Sequence, residues 1–185
     1  MTAWTAAMGV TIQWTTPALL AERLRPRKDS RKWGVLIISL LGLIQLVRYT
    51  LAGFDLRFGG SAPFAAHFQI GMLILFILSQ SLFVWAAACN PFFSQVVRIQ
   101  TERGPTVIAA GPYRLVRHPA YLGAIVFEIS APLLLGCWPA LWLSLVSIGL
   151  LVLRTQLEDR TLQAELPGYL AYTRQVQKRL LPGIW

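Results

Sequence analysis

Three long apolar stretches divide this chain, and each is bounded by short basic or turn-rich segments. Trp33 to Ala52 is predominantly apolar and carries Arg48 as its one charged residue, and twenty residues of helix rise ~30 Å, the thickness of a bilayer's hydrocarbon core. Ala66 to Cys89 is a second such run, closed by Asn90-Pro91. Pro119 to Leu153 is a third and longer one, broken at its midpoint by Gly136-Cys137-Trp138-Pro139. Gly and Pro at that midpoint predict a helix, a turn and a helix, each arm at the short end for a span. Residues 1–21 carry no charged side chain but are rich in threonine, so a spanning or interfacial segment is expected there. With no basic n-region among them, a cleavable signal peptide is not expected. Gly53 to Phe64, with Gly59-Gly60 and Pro63, reads as a turn-rich loop, with His67 at the interface just beyond it.

Composition agrees with this pattern. The chain is 55% hydrophobic and 14% charged over 185 residues, against ~25% charged in ordinary soluble domains. An all-α, polytopic membrane protein of four to five helices, folded as one domain over residues 1–185, is therefore expected. Its N-terminal membrane helices occupy 1–97. The net charge of +9 does not point to nucleic acid, because the cations lie in short segments between apolar runs. Six fall in Arg23 to Lys32, four at Arg98, Arg103, Arg114 and Arg117, and five at Arg154, Arg160, Arg174, Lys178 and Arg179. Only Arg48 and Arg57 fall on the other side, where Arg48 is expected to snorkel to the outer interface. Such asymmetry predicts a cytosolic position for the basic side. The segment around residues 22–32 is a topology-setting loop that also suits anionic lipid. Cys89 and Cys137 fit small packing residues, and no metal-type His/Cys cluster is present.

The candidate chemistry sits at the two ends of the hairpin. Gly111-Pro-Tyr-Arg-Leu-Val-Arg-His-Pro-Ala-Tyr-Leu-Gly123 precedes and opens it; Arg154-Thr-Gln-Leu-Glu-Asp-Arg-Thr-Leu162 closes it. If the arms fold back, both clusters return to one side and meet. Arg154 and Glu158 stand four apart, where an exposed ion pair is worth only ~0.3–0.5 kcal/mol. Glu128 stands among apolar residues, and an ionisable group at membrane depth is costly. It follows Tyr121 by seven residues, so it is expected on the same helix face, toward the polar clusters, either facing substrate or packing as a buried protonated acid.

These clusters resemble the isoprenylcysteine carboxyl methyltransferase family, in its short bacterial or archaeal form, which shares its C-terminal half with phospholipid methyltransferases. The carried pattern is GPYxxxRHPxYxG, a hydrophobic hairpin, E-[ED]-x-x-L, paired tyrosines and a closing R-L-x-P. Here those are Gly111 to Gly123, Glu158 to Leu162, Tyr169 and Tyr172, and Arg179 to Pro182. Asp159 departs from a pattern that often has a second Glu there. The resemblance implies a cofactor-binding catalytic region over 98–185 that uses S-adenosylmethionine and releases S-adenosylhomocysteine. It implies a lipophilic, prenylated acceptor reached from the surrounding membrane lipid.

Such a cofactor needs cations for its carboxylate, acidic acceptors for its ammonium or ribose, and flat walls for its base. Tyr113, Arg114, Arg117, His118, Pro119, Tyr121, Leu122, Glu158, Asp159, Tyr169 and Tyr172 are the expected cofactor residues. Arg154 and Glu158 are the expected catalytic pair, with Arg154 and Glu128 facing the substrate. No glycine-rich strand-to-helix turn is present, so helix ends and loops must hold the cofactor. Transfer to a phospholipid amine, or a non-enzymatic protein on the same scaffold, remains as an alternative.

Overall fold

The computed structural model describes residues 31–61, 64–94 and 104–181. The expectations for residues 1–21, for most of the basic segment 22–32 and for Arg98, Arg103 and Pro182 lie outside these. The regular elements of the described residues are all helical, with no strand among them: α1 (Lys32–Phe58), α2 (Ala66–Cys89), a 3₁₀ turn (Gly111–Arg114), α3 (Pro119–Leu134), α4 (Trp138–Glu165) and α5 (Tyr169–Gln175). Three of them, α1, α2 and α4, are long and apolar enough to cross a membrane. Helix α3, at 16 residues, is a short arm as expected, but the second arm is not short. Helix α4 runs on past Leu153 to Glu165, 28 residues in all, because the polar residues after Leu153 continue the helix beyond the apolar run.

In the bundle, α3 lies between α2 and α4, and α1 packs on α4. Outward faces carry Leu36, Leu43 and Leu46 of α1, Ile70, Ile74 and Leu78 of α2, and Trp142, Leu145 and Val146 of α4. A water-soluble fold would not leave so many large apolar side chains open; hydrocarbon is their natural solvent.

The hairpin turns where its breakers stand. Cys137 is the N-cap of α4, and Trp138-Pro139 open the helix in the first turn, where a missing N–H costs nothing. Phe64, just before α2, packs edge-on against Trp138 at 5.1 Å between ring centroids, and Ala52 packs with Cys137 and Ala140. The far end of α1, the start of α2 and the hairpin tip therefore share one side of the bundle. On the opposite side Arg31 pairs with Glu165, bringing the start of α1 to the end of α4.

Two expectations about α1 are corrected. Helix α1 does not end at Ala52: it runs through Gly53 to Phe58 and stops at Gly59, whose φ of 67° is a left-handed cap that glycine adopts freely. An interior glycine costs a helix ~1 kcal/mol but does not terminate it. Arg48 does not snorkel to the interface either. It is 1% exposed, turned inward onto Glu128 of α3 and Ser144 of α4, because a neutralising partner is nearer than water.

The last glycine of the hairpin motif has a packing reason. A methyl group on Gly123 would lie 2.7 Å from the carbonyl oxygen of Ser79 and 3.2 Å from the amide nitrogen of Phe83, so α2 and α3 touch backbone to backbone. Gly123→Ala should destabilise by about 1–3 kcal/mol, the usual cost of overpacking. Thermal unfolding of the detergent-solubilised protein checks it; an unchanged midpoint would mean the two helices are not in that contact.

Candidate functional site

The motif opens with a glycine at a position that disfavours any side chain. Gly111 has φ 55°, and a Cβ there would meet the Cys89 sulfur at 2.6 Å. Both facts seat the 3₁₀ turn on the end of α2. Pro112 then fixes the first turn, burying Tyr113 against Ala86 and Ala120. The Tyr113 hydroxyl accepts from Asn90 Nδ2 at 3.3 Å, and its carbonyl accepts from the Tyr172 hydroxyl at 2.7 Å. Burial raises the Tyr113 phenol and pushes that of Tyr172 up to about 12, so both stay neutral.

Asp159 is the centre of the polar cluster, and its side chain is 0% exposed. Arg117 grips it with both sides of its fork, Nε to Oδ1 at 2.9 Å and Nη2 to Oδ2 at 3.0 Å. The Tyr169 hydroxyl donates to Oδ1 at 3.0 Å, while Gln163 Nε2 and Arg179 Nε donate to Oδ2 at 2.7 and 2.9 Å. His118 Nε2 lies 3.3 Å from Oδ1. A carboxylate offers about four lone-pair positions, so Asp159 is saturated by the protein itself.

Arg117 is equally committed. Its Nη1 donates to the carbonyls of Val176 and Gln177, each at 2.8 Å. Burial opposes its charge, but the Asp159 carboxylate outweighs that and holds the guanidinium more firmly protonated than usual. Burial, and then the same carboxylate, keep the Tyr169 phenol neutral well above its ordinary range.

The C-terminal segment is thereby strapped over the start of α3. Backbone bonds from the amides of Arg117 and His118 to the carbonyls of Lys178 and Arg179, both 2.9 Å, complete the strap. Tyr169, Tyr172 and Val176 form its apolar underside, on which Val107, Leu162 and Leu166 pack. The motif leucine Leu162 thus holds α5 rather than a ligand.

Beside this knot runs a second polar chain. Arg154 Nε donates to the Tyr121 hydroxyl at 2.7 Å, and that hydroxyl donates to Glu158 Oε2 at 2.5 Å. The Arg154 guanidinium also lies over the Tyr121 ring, 5.5 Å from its centroid. Tyr121 therefore couples the two helical residues. Arg154 is buried, while Glu158 and Tyr121 are half-buried. His118 stacks on Tyr121, with centroids 5.8 Å apart and planes 27° apart.

The two sequence clusters do meet. Arg117, His118, Asp159, Tyr169 and Tyr172 form one network, and Tyr121, Arg154 and Glu158 form the adjoining one. Pro119 opens α3 as its first residue, and Leu122 is half-buried one position past Tyr121. Arg114 stands exposed on the rim. Glu128 is not brought to these clusters: it pairs with Arg48, about 10 Å up α3 from Tyr121 at 1.5 Å per residue. Gln163 was not singled out from the sequence, although it stands one helical turn past Asp159, and Arg179 was read as part of the closing motif but not as a site residue. No group of three or more metal-ligating side chains occurs among the described residues.

Comparison with known proteins follows the same residues. A stretch of 100 residues, 52% of the chain, is 32% identical to the lamin-B receptor of Drosophila melanogaster. The match takes in 14% of that much longer relative. Residues 72–164 match the family described as isoprenylcysteine carboxyl methyltransferase. That span runs from α2 through the hairpin motif to the end of α4, taking in Tyr121, Arg154, Glu158 and Asp159. The protein is an integral membrane protein, and it belongs to the isoprenylcysteine carboxyl methyltransferase family.

Proposed function

We propose that the protein transfers a methyl group from S-adenosylmethionine to the carboxylate of a lipophilic, prenylcysteine-type acceptor. The site would be at the end of the bundle where α3 begins and α4 leaves the membrane. The charge distribution supports placing that end in the cytosol. The observation that carries the reading is the part-buried Arg154–Tyr121–Glu158 chain beside the Asp159 knot.

The residues suit the cofactor once their other commitments are counted. Arg117 and Asp159 are consumed by each other and by the strap, so they build the wall rather than touch the ligand. Tyr113, Pro119, Tyr169 and Tyr172 brace that wall. Among the described residues only Oε2 of Glu158 is engaged, leaving Oε1 for ribose hydroxyls or an ammonium. The His118–Tyr121 stack and Leu122 offer a flat, partly apolar wall for a base, and Arg114 a rim cation for a carboxylate. When bound, S-adenosylmethionine supplies an electrophilic methyl group.

The chain's own work is then positioning and exclusion of water. An acceptor carboxylate is ionised at pH 7 and needs no base. Arg154 would orient it, and exposed Leu153, one residue earlier, offers an apolar approach from the bilayer. Purified protein should incorporate methyl groups into lipophilic acids in a cofactor-dependent way, giving base-labile esters. Methylated amines instead would move the assignment to phospholipid amines. No transfer to acids, amines or thiols, together with no S-adenosylhomocysteine binding, would leave a scaffold without the activity.

A further inference from the structure

Within the bilayer, far from the polar knot, lies a second charged cluster that the proposed chemistry does not use. Arg48 of α1 pairs with Glu128 of α3 through both carboxylate oxygens, with Nη2 to Oε1 at 3.3 Å. Its Nη1 also donates to Ser144 Oγ of α4 at 2.8 Å, and Nη2 donates to Gln45. The guanidinium lies 5.5 Å from the Phe127 ring centroid. Arg48 Nε is buried without a partner among the described residues. One side chain thus ties three helices at a single level.

Burying two charges is a poor way to gain stability. Desolvation offsets much of the attraction, and well-packed apolar replacements are often neutral or better. The orphaned Nε adds to that cost. What such a pair does supply is discrimination between alternative packings, because a slipped or rotated helix strands a charge in hydrocarbon. Elsewhere along its length, α1 is held with little discrimination. The outer faces of α1 are leucine-rich and open, and apolar side chains against lipid fix neither rotation nor register.

We propose that Arg48 and Glu128 are positioning residues: their pair sets the rotation and register of α1, α3 and α4, and through these the Arg154–Tyr121–Glu158 chain. Glu128 stands seven residues from Tyr121 on α3, and Ser144 ten residues from Arg154 on α4. A helical rotation at the pair is transmitted rigidly to both. The groups around the pair, Gln45 and Ser144, can each donate or accept, so the site tolerates exchange of the two charges.

The test uses the full chain in detergent, with Cys89→Ala and spin labels on cysteines replacing Leu43 of α1 and Val146 of α4, both exposed. Buried Cys137 stays unlabelled. Native protein should give one narrow distance distribution. Arg48→Met/Glu128→Leu should fold and give a broadened or multiple distribution. The exchange Arg48→Glu/Glu128→Arg should restore one narrow distance.

A second arm rests on the methyl-transfer reading. Turnover of the apolar variant should fall on the order of tenfold to hundredfold, as for small misplacements of reacting groups, and recover in the exchange. The distance arm needs no activity, so it fails or succeeds independently of that reading. A single native distance in the folded apolar variant overturns the proposal. So does an exchange variant that is misfolded or gives several distances, whatever the apolar variant does.

Discussion

Asp159→Ala will cost about 3–5 kcal/mol of stability and release the C-terminal strap. That magnitude is what removing one partner of a buried ion pair costs, since the other charge stays behind uncompensated. Here two cations are left, Arg117 and Arg179, along with the Tyr169 hydroxyl, Gln163 and the His118 ring, all of which converge on the missing carboxylate. Arg117 would turn away from the tail to find water, and the carbonyls of Val176 and Gln177 would lose their donor. Trypsin reports this directly, because Lys178 and Arg179 lie in the strap. Cleavage there should be slow in the native protein and fast in the variant, together with a lowered thermal midpoint. Asp159→Asn keeps the volume and accepts with one oxygen, so it should lie between the two. Native stability and native trypsin resistance in Asp159→Ala would show that the knot does not hold the tail.

This knot also marks how far the sequence could be read. Helix α2 was legible in its approximate bounds, Ala66 to Cys89, because the turn-rich loop through Pro63 and Asn90-Pro91 punctuate it at both ends. Helix α1 was not. Gly53 looked like a stop, yet inside a membrane a helix has every reason to continue to the next residue that satisfies its terminal carbonyls, and that is Gly59. The meeting of the two hairpin ends followed from run lengths and breakers alone. Which side chains face ligand did not follow. Arg117 and Asp159 carry the charges a cofactor wants, but their partners come from positions 163, 169, 176, 177 and 179, and only Gln163 is related to Asp159 by local periodicity. The Arg48–Glu128 pair spans a separation of 80 residues and depends on the rotation of two helices. Hydropathy records that each residue is charged, not that each answers the other. What the family pattern preserved in this chain is therefore partly architecture: Gly123 for helix contact, Leu162 for α5, and Arg179 for the knot.

Arg154→Ala will lower turnover by about two orders of magnitude while leaving cofactor affinity within a few fold. Arg154 is buried, and the loss of one partner of a desolvated, hydrogen-bonded charge costs about 2–5 kcal/mol. The cost should fall on the acceptor, because cofactor binding is assigned to the Glu158 oxygen that Tyr121 leaves open and to the His118–Tyr121 wall. Arg154→Lys should recover only part of the loss. A lysine ammonium is a point charge and cannot both donate to the Tyr121 hydroxyl as Nε does and present a planar fork to a carboxylate. Calorimetry with S-adenosylhomocysteine separates binding from turnover in each variant. The pH profile then separates the acceptors. A carboxylate stays ionised from about pH 6 to 8, so its methylation rate should be nearly flat there. An amine must first lose a proton, so its rate would rise tenfold per pH unit below its pKa. Tyr121→Phe cuts the hydroxyl between Arg154 and Glu158 without removing either charge, and should reduce turnover less than Arg154→Ala does. A steep pH rise, with activity abolished in Glu158→Gln at unchanged cofactor affinity, would make Glu158 a base and the acceptor an amine.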